Sequence, residues 1–170
     1  MLNSAPKQSN KYKQGIFYPK NKDKVVKLNA KGGLFYRSGL EHKMMIYFDN
    51  NEKIINWGAE HLRIPYQKTE WVSESQEYKT TEHTYYPDFY YELKREDGTV
   101  SKVVAEVKPL SETTEPKMSQ NPTAKQMKNF EYALKMYNKN LSKWNYMIEY
   151  CNRKGFKFII ITEETLNKIS

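Results

Sequence analysis

The sequence predicts a mixed α/β domain, and three segments after residue 83 carry that prediction. Residues 84–93 are rich in aromatic side chains and residues 100–108 in β-branched ones, and both compositions are typical of paired strands. The continuous apolar run Phe156–Ile161 is typical of a strand buried at the centre of a sheet. Between the strand 100–108 and this apolar run a long helix is predicted, because apolar residues recur at intervals of three and four, at positions 127, 130, 134, 137, 141, 144, 148 and 151.

The first 33 residues are predicted to form a basic arm with little regular structure, and the domain is predicted to span residues 34–170. The arm carries eight Lys and one Asp and is interrupted by Gly and Pro, a composition that does not favour a packed core. At the start of the domain, Ser38 followed by Glu41 is a capping-box pattern that predicts a helix as far as about Phe48.

Two short strands are predicted next, Ile54–Trp57 and Leu62–Tyr66. Pro65 indicates that the second strand lies at an edge, because proline cannot donate to a central ladder. The polar segment 67–81 is predicted to be a loop.

The turn between the two hairpin strands decides which residues face each other. Residues 96–98, Glu-Asp-Gly, suit a three-residue loop in which Gly98 takes the left-handed conformation. That register places Asp88 directly opposite Glu106, with Cβ atoms about 4.5–5.5 Å apart on one face. A two-residue loop would shift the pairing by one residue and separate the two carboxylates onto opposite faces.

The elements after the hairpin follow from local signals. Residues 110–122 are predicted to be a loop, and Pro122 suits the first turn of the long helix. The apolar stripe fits one helix or two collinear ones, with residues 138–140, Asn-Lys-Asn, as the predicted break between the two, and Gly155 is the predicted end. A short helix is predicted from Thr162 onward.

Charge is distributed unevenly along this chain of net charge +8. Residues 34–116 carry ten basic and fifteen acidic residues, whereas residues 117–157 carry nine basic and two acidic ones. Two basic flanks around an acidic middle suit a protein that holds a polyanion and keeps carboxylates for a metal. A solvated surface explains the same pattern, and composition alone favours that simpler reading.

Cysteine usage and hydropathy exclude several classes. The single Cys151 excludes a disulfide framework and a Cys-based zinc site. No apolar run approaches the roughly 18–20 residues of a membrane span, and the N-terminus lacks a signal-peptide core. We therefore expect no membrane partner and no secretion by a standard signal.

The hairpin also carries the residues with the clearest chemistry. Glu106 and Lys108 share one strand face, and the predicted register adds Asp88. Two close carboxylates repel each other unless a cation lies between them, and Mg²⁺ is the common choice when phosphate completes its shell. Such an ion can polarise a phosphoryl oxygen, and Lys108 could position water or neutralise developing charge. A Glu-x-Lys pattern by itself is frequent on exposed strands.

These residues resemble the P-D…(D/E)-x-K signature of the restriction-endonuclease-like nuclease superfamily, with Pro87-Asp88 followed by Glu106-Val107-Lys108. The segment 36–41 resembles the helix that supplies the first acidic residue in that superfamily. The segment that contains Lys143, Trp144 and Gly155 resembles its helix–strand unit, which also recurs in the endonuclease subunit of heteromeric cut-and-paste transposases. Over residues 15–165 the chain resembles the head-completion nucleases of T-even-like phages.

The resemblance implies a three-layer restriction-endonuclease-like core, a mixed central sheet flanked by helices, that cuts DNA with Mg²⁺, for which Mn²⁺ can substitute. It implies that Asp88 and Glu106 are metal ligands and that the carbonyl of Val107 is a third. Glu41 would orient the metal or its water, and Lys108 would be the catalytic lysine. Glu41 can instead serve only as the capping partner of Ser38.

Further implications concern nucleic acid and biology. Arg37 and Lys143 would contact DNA, although Arg37 could equally pair with a surface carboxylate. The implied role is cleavage of double-stranded DNA during phage head completion after packaging, in the host cytoplasm or the virion, with portal or neck proteins as partners. Simultaneous cutting of both strands would imply a homodimer.

The alternative is a non-catalytic, DNA-binding head or neck completion protein that keeps the nuclease fold as a scaffold. Fold alone does not decide between the two. The intact set of Asp88, Glu106 and Lys108 favours the enzyme, because a scaffold has no need of it.

Overall fold

A computed structural model describes residues 13–72 and 74–169 of the chain. Its strands are β1 (Gly15–Phe17), β2 (Leu34–Tyr36), β3 (Ile54–Ala59), β4 (Ile64–Val72), β5 (Glu77–Tyr85), β6 (Phe89–Lys94), β7 (Val100–Val107) and β8 (Lys157–Ile161). Its helices are α1 (Gly39–Asn50), α2 (Leu110–Thr113), α3 (Ala124–Lys154) and α4 (Glu163–Ile169). Among these helices, none is long and apolar enough to cross a membrane.

The centre of the molecule is a four-stranded mixed sheet in the order β3-β6-β7-β8. β3, β6 and β7 pair antiparallel, and β8 pairs parallel to β7 after the crossover through α3. Two further two-stranded sheets stand beside it, β1-β2 and β4-β5. The predicted mixed α/β class is therefore confirmed.

Helices pack on both faces of the central sheet. On one face, Met44, Met45 and Phe48 of α1 and Leu166 of α4 form one apolar cluster with the sheet. On the other face, α3 contributes to a second cluster that includes Val104 of the sheet, and its buried members there are Met147 and Cys151. Because side chains alternate along a strand, the residues of β7 with even numbers face α3.

The β6–β7 hairpin has the predicted turn and register. Phe89 pairs with Ala105 and Lys94 with Val100. The loop is residues 96–98, closed by a hydrogen bond from Arg95 N–H to the carbonyl of Thr99 at 2.8 Å. Gly98 has φ of +82°, the left-handed conformation that glycine adopts without strain.

The segment 67–81 is not a loop, so that prediction was wrong. β4 and β5 pair antiparallel from Ile64↔Tyr85 to Val72↔Glu77 and form a hairpin outside the central sheet. Polar residues suit strands that are solvated on both faces, and local composition therefore resembles that of a loop. The predicted strand 84–93 is also divided, because Pro87 separates β5 from β6 and cannot donate to a ladder.

The long helix is confirmed, with two corrections. It begins after Thr123, whose side chain accepts from Gln126 N–H in a capping box, and not at residues 121–122. It runs without interruption for 31 residues, so the break predicted at residues 138–140 is wrong. Asn and Lys cost a helix under about 0.7 kcal/mol each, and Asn140 is buried. Gly155 ends the helix as predicted, with φ of +69°.

The C-terminal elements also follow the prediction in type. β8 is a strand and α4 is the short helix expected after Thr162. β8 lies at an edge of the central sheet and not at its centre. Helices pack against its apolar side chains on the two faces of the sheet. Its backbone pairs with one neighbouring strand, β7. In the predicted loop 110–122, residues 110–113 form the single turn α2.

Part of the predicted N-terminal arm packs against the domain, whereas residues 1–12 lie outside the described residues. β1 pairs with β2, and Phe17 packs on the main core. The buried Asp49 carboxylate accepts hydrogen bonds from Lys20 N–H at 2.8 Å and Asn21 N–H at 3.0 Å. The boundary between arm and domain at residue 34 stays a prediction.

Candidate active site

Asp88 and Glu106 lie side by side at one end of the central sheet. Asp88 is the residue before β6, and the register of the hairpin places it level with Glu106 of β7. Asp88 Oδ2 accepts a hydrogen bond from Val107 N–H at 2.7 Å. The Asp88 carbonyl accepts from Glu60 N–H at 3.0 Å. Both the main chain and the side chain of Asp88 are therefore held in place.

Glu106 is buried and has two partners. Its Oε1 lies 3.1 Å from Lys108 Nζ, and its Oε2 accepts a hydrogen bond from the Tyr85 hydroxyl. Glu106 is 6% exposed, so its charge depends on these partners for compensation. The Glu106 carboxylate and the ammonium of Lys108, which follows β7 directly, thus lie on the same side of the strand, as the i, i+2 spacing predicts.

The charges in this cluster perturb one another. Burial raises the pKa of Asp88 to about 7 and the negative charge of Glu106 adds to the shift, whereas Val107 N–H and Lys108 oppose it. Burial would lower the pKa of Lys108, but the Glu106 and Asp88 carboxylates outweigh burial and raise it. Lys108 is therefore a fixed cation beside two carboxylates that repel each other.

The other predicted site residues surround this cluster at different distances. Lys143 of α3 places Nζ 5.4 Å from the centre of the Tyr85 ring, and its charge acts on Glu106 and Lys108. The charge of Glu41 raises the pKa of Asp88, but the Glu41 carboxylate accepts Arg37 N–H at 2.8 Å. The expected bond from Glu41 to Ser38 N–H is therefore replaced by one to the preceding residue. The Ser38 side chain still caps α1.

Arg37 pairs with a carboxylate, which was one of its two expected roles. Its guanidinium makes an ion pair with Glu60, and that hydrogen bond raises the pKa of Arg37. Glu60 in turn contributes its N–H to the carbonyl of Asp88. Arg37 thus sits next to the residues that hold Asp88, with its side chain 55% exposed.

Sequence reasoning missed Tyr85 and Glu60. Tyr85 was placed in the predicted hairpin strand 84–93, but it ends β5 of the β4–β5 hairpin, and only the tertiary structure brings its hydroxyl to Glu106. A tyrosine two residues before the Pro-Asp pair was the available signal, but the segment is rich in tyrosines that look alike. Burial and the Glu106 charge raise the pKa of Tyr85, so its hydroxyl stays a donor.

The donor set fits a hard divalent cation. Asp88 and Glu106 supply carboxylate oxygens, and their repulsion is relieved by a cation between them. In the part of the chain that the structure describes, no group of three or more His, Cys, Asp and Glu is arranged as a metal site. Two carboxylates are enough for Mg²⁺, which keeps several waters and takes phosphate oxygens as ligands.

A known protein family matches this chain over the segment that contains the carboxylate cluster. The model of the TnsA-like endonuclease N-terminal family matches residues 51–163. The chain belongs to this family. The match contains Asp88, Glu106, Lys108 and Lys143, whereas Glu41 and Arg37 precede it. Membership of the TnsA-like endonuclease family implies a restriction-endonuclease-like fold and confirms the resemblance drawn from the sequence.

A phage protein resembles the chain over most of its length. The head completion nuclease of Enterobacteria phage T4 is 26% identical to it over 155 residues, which cover 91% of this chain and 94% of that protein. No solved structure gives a significant match. TnsA-like endonucleases of this signature type typically use divalent metals.

In EDTA, the contribution of Asp88 to the free energy of unfolding is expected to fall as the pH rises from about 4 to about 7 and then to level off. The pKa of Asp88 is about 7 in the folded chain and about 3.9 in an unfolded one. Between these values the folded state binds more protons, so stability decreases with pH, by at most about 1.4 kcal/mol per unit for this group. Urea unfolding of wild type and of Asp88→Asn at a series of pH values measures this change in the free energy of unfolding.

The Asp88→Asn protein cannot titrate at this position, so its stability advantage over wild type should grow with pH over the same range. Two curves that stay parallel would contradict the assignment. At pH above 7, millimolar Mg²⁺ should raise the melting temperature of wild type more than that of Asp88→Asn, because binding to the folded state alone stabilises it.

Proposed function

We propose that this protein is a Mg²⁺-dependent DNA endonuclease that hydrolyses phosphodiester bonds, with Mn²⁺ able to replace Mg²⁺. The observation that carries the proposal is the hairpin register, which sets Asp88 beside Glu106 with Lys108 on the same strand face. Membership of an endonuclease family supports the same reading. Helices on both faces of the mixed sheet support a three-layer restriction-endonuclease-like core.

Each residue has a distinct proposed role. Asp88 and Glu106 hold the cation, with the carbonyl of Val107 as a third ligand. Glu41, whose charge already acts on Asp88, orients the metal or its water from the start of α1. A bound divalent cation supplies a Lewis acid for the phosphoryl group and lowers the pKa of water.

Lys108 is the proposed catalytic lysine. Its raised pKa keeps the ammonium charged, and it can stabilise the negative charge that develops on the phosphate as water attacks. It can also hold the attacking water through one of its three donors. Tyr85 is a positioning residue, because its hydroxyl holds the Glu106 carboxylate.

The substrate proposed is double-stranded DNA held mainly through its phosphates. Lys143 from α3 and Arg37 before α1 lie on either side of the Asp88–Glu106 pair in sequence and approach it in space. The basic flanks of the sequence add charge without reading bases, since phosphate contacts position and do not specify. Cleavage of both strands at once would need a homodimer.

We place this activity in phage head completion after DNA packaging, with portal or neck proteins as partners, in the host cytoplasm or the virion. The support is the similarity over most of the chain to a protein named head completion nuclease. This biological role rests on that similarity, whereas the chemistry rests on the hairpin.

The experiment that tests the function is cleavage of supercoiled plasmid with Mg²⁺ or Mn²⁺. Wild type is expected to convert the plasmid to nicked or linear forms, and EDTA or Asp88→Ala is expected to abolish conversion. Removal of a metal ligand should leave the fold intact, because Asp88→Ala also removes a carboxylate repelled by Glu106. Circular dichroism checks the fold of the variant.

Two results would contradict the proposal. If wild type and Asp88→Ala bind DNA equally and neither cuts, the non-catalytic head or neck completion protein is the better description. If both cut at the same rate, the activity belongs to another site or to a contaminant.

A further inference from the structure

A groove outside the carboxylate cluster runs between α3 and the β4–β5 hairpin. It encloses about 570 Å³. Two tyrosines and four lysines line it, Tyr66 and Lys68 from β4 and Tyr132, Lys135, Lys139 and Lys143 from α3. None of the described residues that line it is acidic. We call it the α3/β4 groove.

The α3/β4 groove leads to the candidate active site. Lys143 lines the groove, and its Nζ also lies 5.4 Å from the centre of the Tyr85 ring. The Tyr85 hydroxyl donates to Glu106. A ligand in the groove would contact Lys143, the lining residue on which the charge of Glu106 acts.

The groove presents a row of positive charge. Lys135, Lys139 and Lys143 are spaced by four residues, so they lie along one side of α3. Lys135 and Lys139 are exposed, and neither makes an ion pair with the described residues. Burial, together with the charges of Lys139, Lys108 and Lys68, lowers the pKa of Lys143. Such a row attracts a polyanion that brings several negative charges at once.

The far end of the groove carries an exposed aromatic ring. Tyr132 is 67% exposed, three residues from Lys135 and one turn from the row of lysines. From Tyr132 to Lys143 the helix rises about 16 Å, a span along which several consecutive nucleotides can lie. Lysines interleaved with exposed aromatic rings are the surface that binds unpaired nucleotides, since each base has a face on which to stack.

We propose that the α3/β4 groove binds a single-stranded segment of the DNA substrate, with phosphates on Lys135, Lys139 and Lys143 and a base stacked on Tyr132. This deepens the proposed nuclease function and rests on it for the substrate class. A duplex keeps its base faces covered, so the exposed ring has no role in holding duplex DNA. The groove thereby directs an unpaired strand toward Glu106 and Lys108.

The test measures binding without cleavage. Fluorescence anisotropy in EDTA gives the affinity for a labelled oligothymidine and for a duplex of the same length, over a series of salt concentrations. The variants are Lys135→Ala/Lys139→Ala, Tyr132→Ala and Tyr132→Phe. The matched control is Lys154→Ala/Lys157→Ala, which removes the same charge at exposed positions. Lys157 begins β8 and pairs with Val103, three residues along β7 from Glu106.

We expect the double lysine variant to bind oligothymidine about tenfold more weakly and to reduce the salt slope by about 1.4, the value for two lost phosphate contacts on a single strand. Tyr132→Ala should also weaken oligothymidine binding several-fold, and Tyr132→Phe should restore it, because the ring and not the hydroxyl stacks. The duplex affinity should change less than the oligothymidine affinity in every case.

Three results would overturn the proposal. They are equal losses in the groove and control variants, no effect of Tyr132→Ala, or a larger loss for duplex than for oligothymidine. Plasmid cleavage by wild type distinguishes failure of the groove proposal from failure of the proposed nuclease function. Wild type that cuts while groove variants bind normally refutes the groove alone. If wild type never cuts plasmid but the groove variants bind oligothymidine more weakly, only the proposed nuclease function is refuted.

Discussion

Replacing Lys108 by methionine is expected to lower the rate of Mg²⁺-dependent plasmid cleavage by about 10²–10³-fold, the usual effect of removing one preorganised group that stabilises transition-state charge. Methionine keeps the apolar stem of the side chain and removes only the ammonium. The physical reason is that Lys108 is the cation held 3.1 Å from Glu106, with its pKa raised by the two carboxylates. Initial rates of nicking at saturating DNA measure the effect.

Lys102→Met is the matched control, because Lys102 lies on the same strand face of β7 and is exposed. It should cleave within about twofold of wild type, since surface charges far from the reaction change little. DNA binding by Lys108→Met, measured in EDTA, should stay close to that of wild type. If Lys108→Met nicks plasmid as fast as Lys102→Met does, Lys108 is not a catalytic residue.

Replacing Phe48 by alanine is expected to cost about 3–5 kcal/mol of unfolding free energy, the range for a large aromatic residue removed from a core. Phe48 is fully buried. Its ring centre lies 5.6 Å from that of Trp57, 5.3 Å from that of Phe89 and 4.7 Å from that of Tyr91. It therefore joins α1 to both β3 and β6, and a cavity there separates the helix from the sheet.

Phe35→Ala is the control, because Phe35 is 43% exposed and lies in the small β1-β2 sheet. It should cost less than about 1 kcal/mol. For a chain of this size, the Phe48→Ala loss corresponds to a fall in melting temperature of roughly 6–20 °C. Equal melting temperatures for the two variants would show that α1 does not depend on this cluster.

The candidate catalytic cluster was predictable because it depends on a local structure. Residues 96–98 determine the turn, and the turn determines the register that sets Asp88 level with Glu106. Lys108 follows on the same face by alternation alone. A register shift of one residue would have placed the carboxylates on opposite faces, so the predicted register was specific, and the pairing of β6 with β7 confirms that register.

The neighbours of that cluster were not predictable, because they come from distant segments. Tyr85 reaches Glu106 from a different hairpin, and Glu60 joins Arg37 to the main chain of Asp88. The segment 67–81 is mostly polar, and its apolar residues Trp71, Val72 and Tyr78 form no alternating apolar side, so local patterns do not reveal its strand character. Pairing between β4 and β5 gives it a backbone partner that composition cannot indicate.

Packing also overrode two local predictions in the C-terminal half. Residues 138–140 carry a modest propensity cost, and the helix continues through them because α3 packs its later turns, around Trp144 and Met147, on the sheet. β8 was expected at the centre of the sheet on its apolar run alone. It lies at the edge, where only Ile161 is fully buried and Phe158 and Ile159 are partly buried in the two clusters to which α4 and α3 contribute.

The α/β class, the β6–β7 turn with the register it implies, the N-cap of α1, the end of α3 and the uneven charge could all be predicted from the sequence. All of these depend on residues within a few positions of one another, where turn geometry and side-chain alternation act directly. Only the tertiary structure decided the β4–β5 hairpin, the hydrogen bond of Tyr85 with Glu106, and the α3/β4 groove. The Tyr85–Glu106 bond and the groove join residues more than 20 positions apart in sequence, and the hairpin, although local in sequence, is held by backbone pairing that its composition does not indicate.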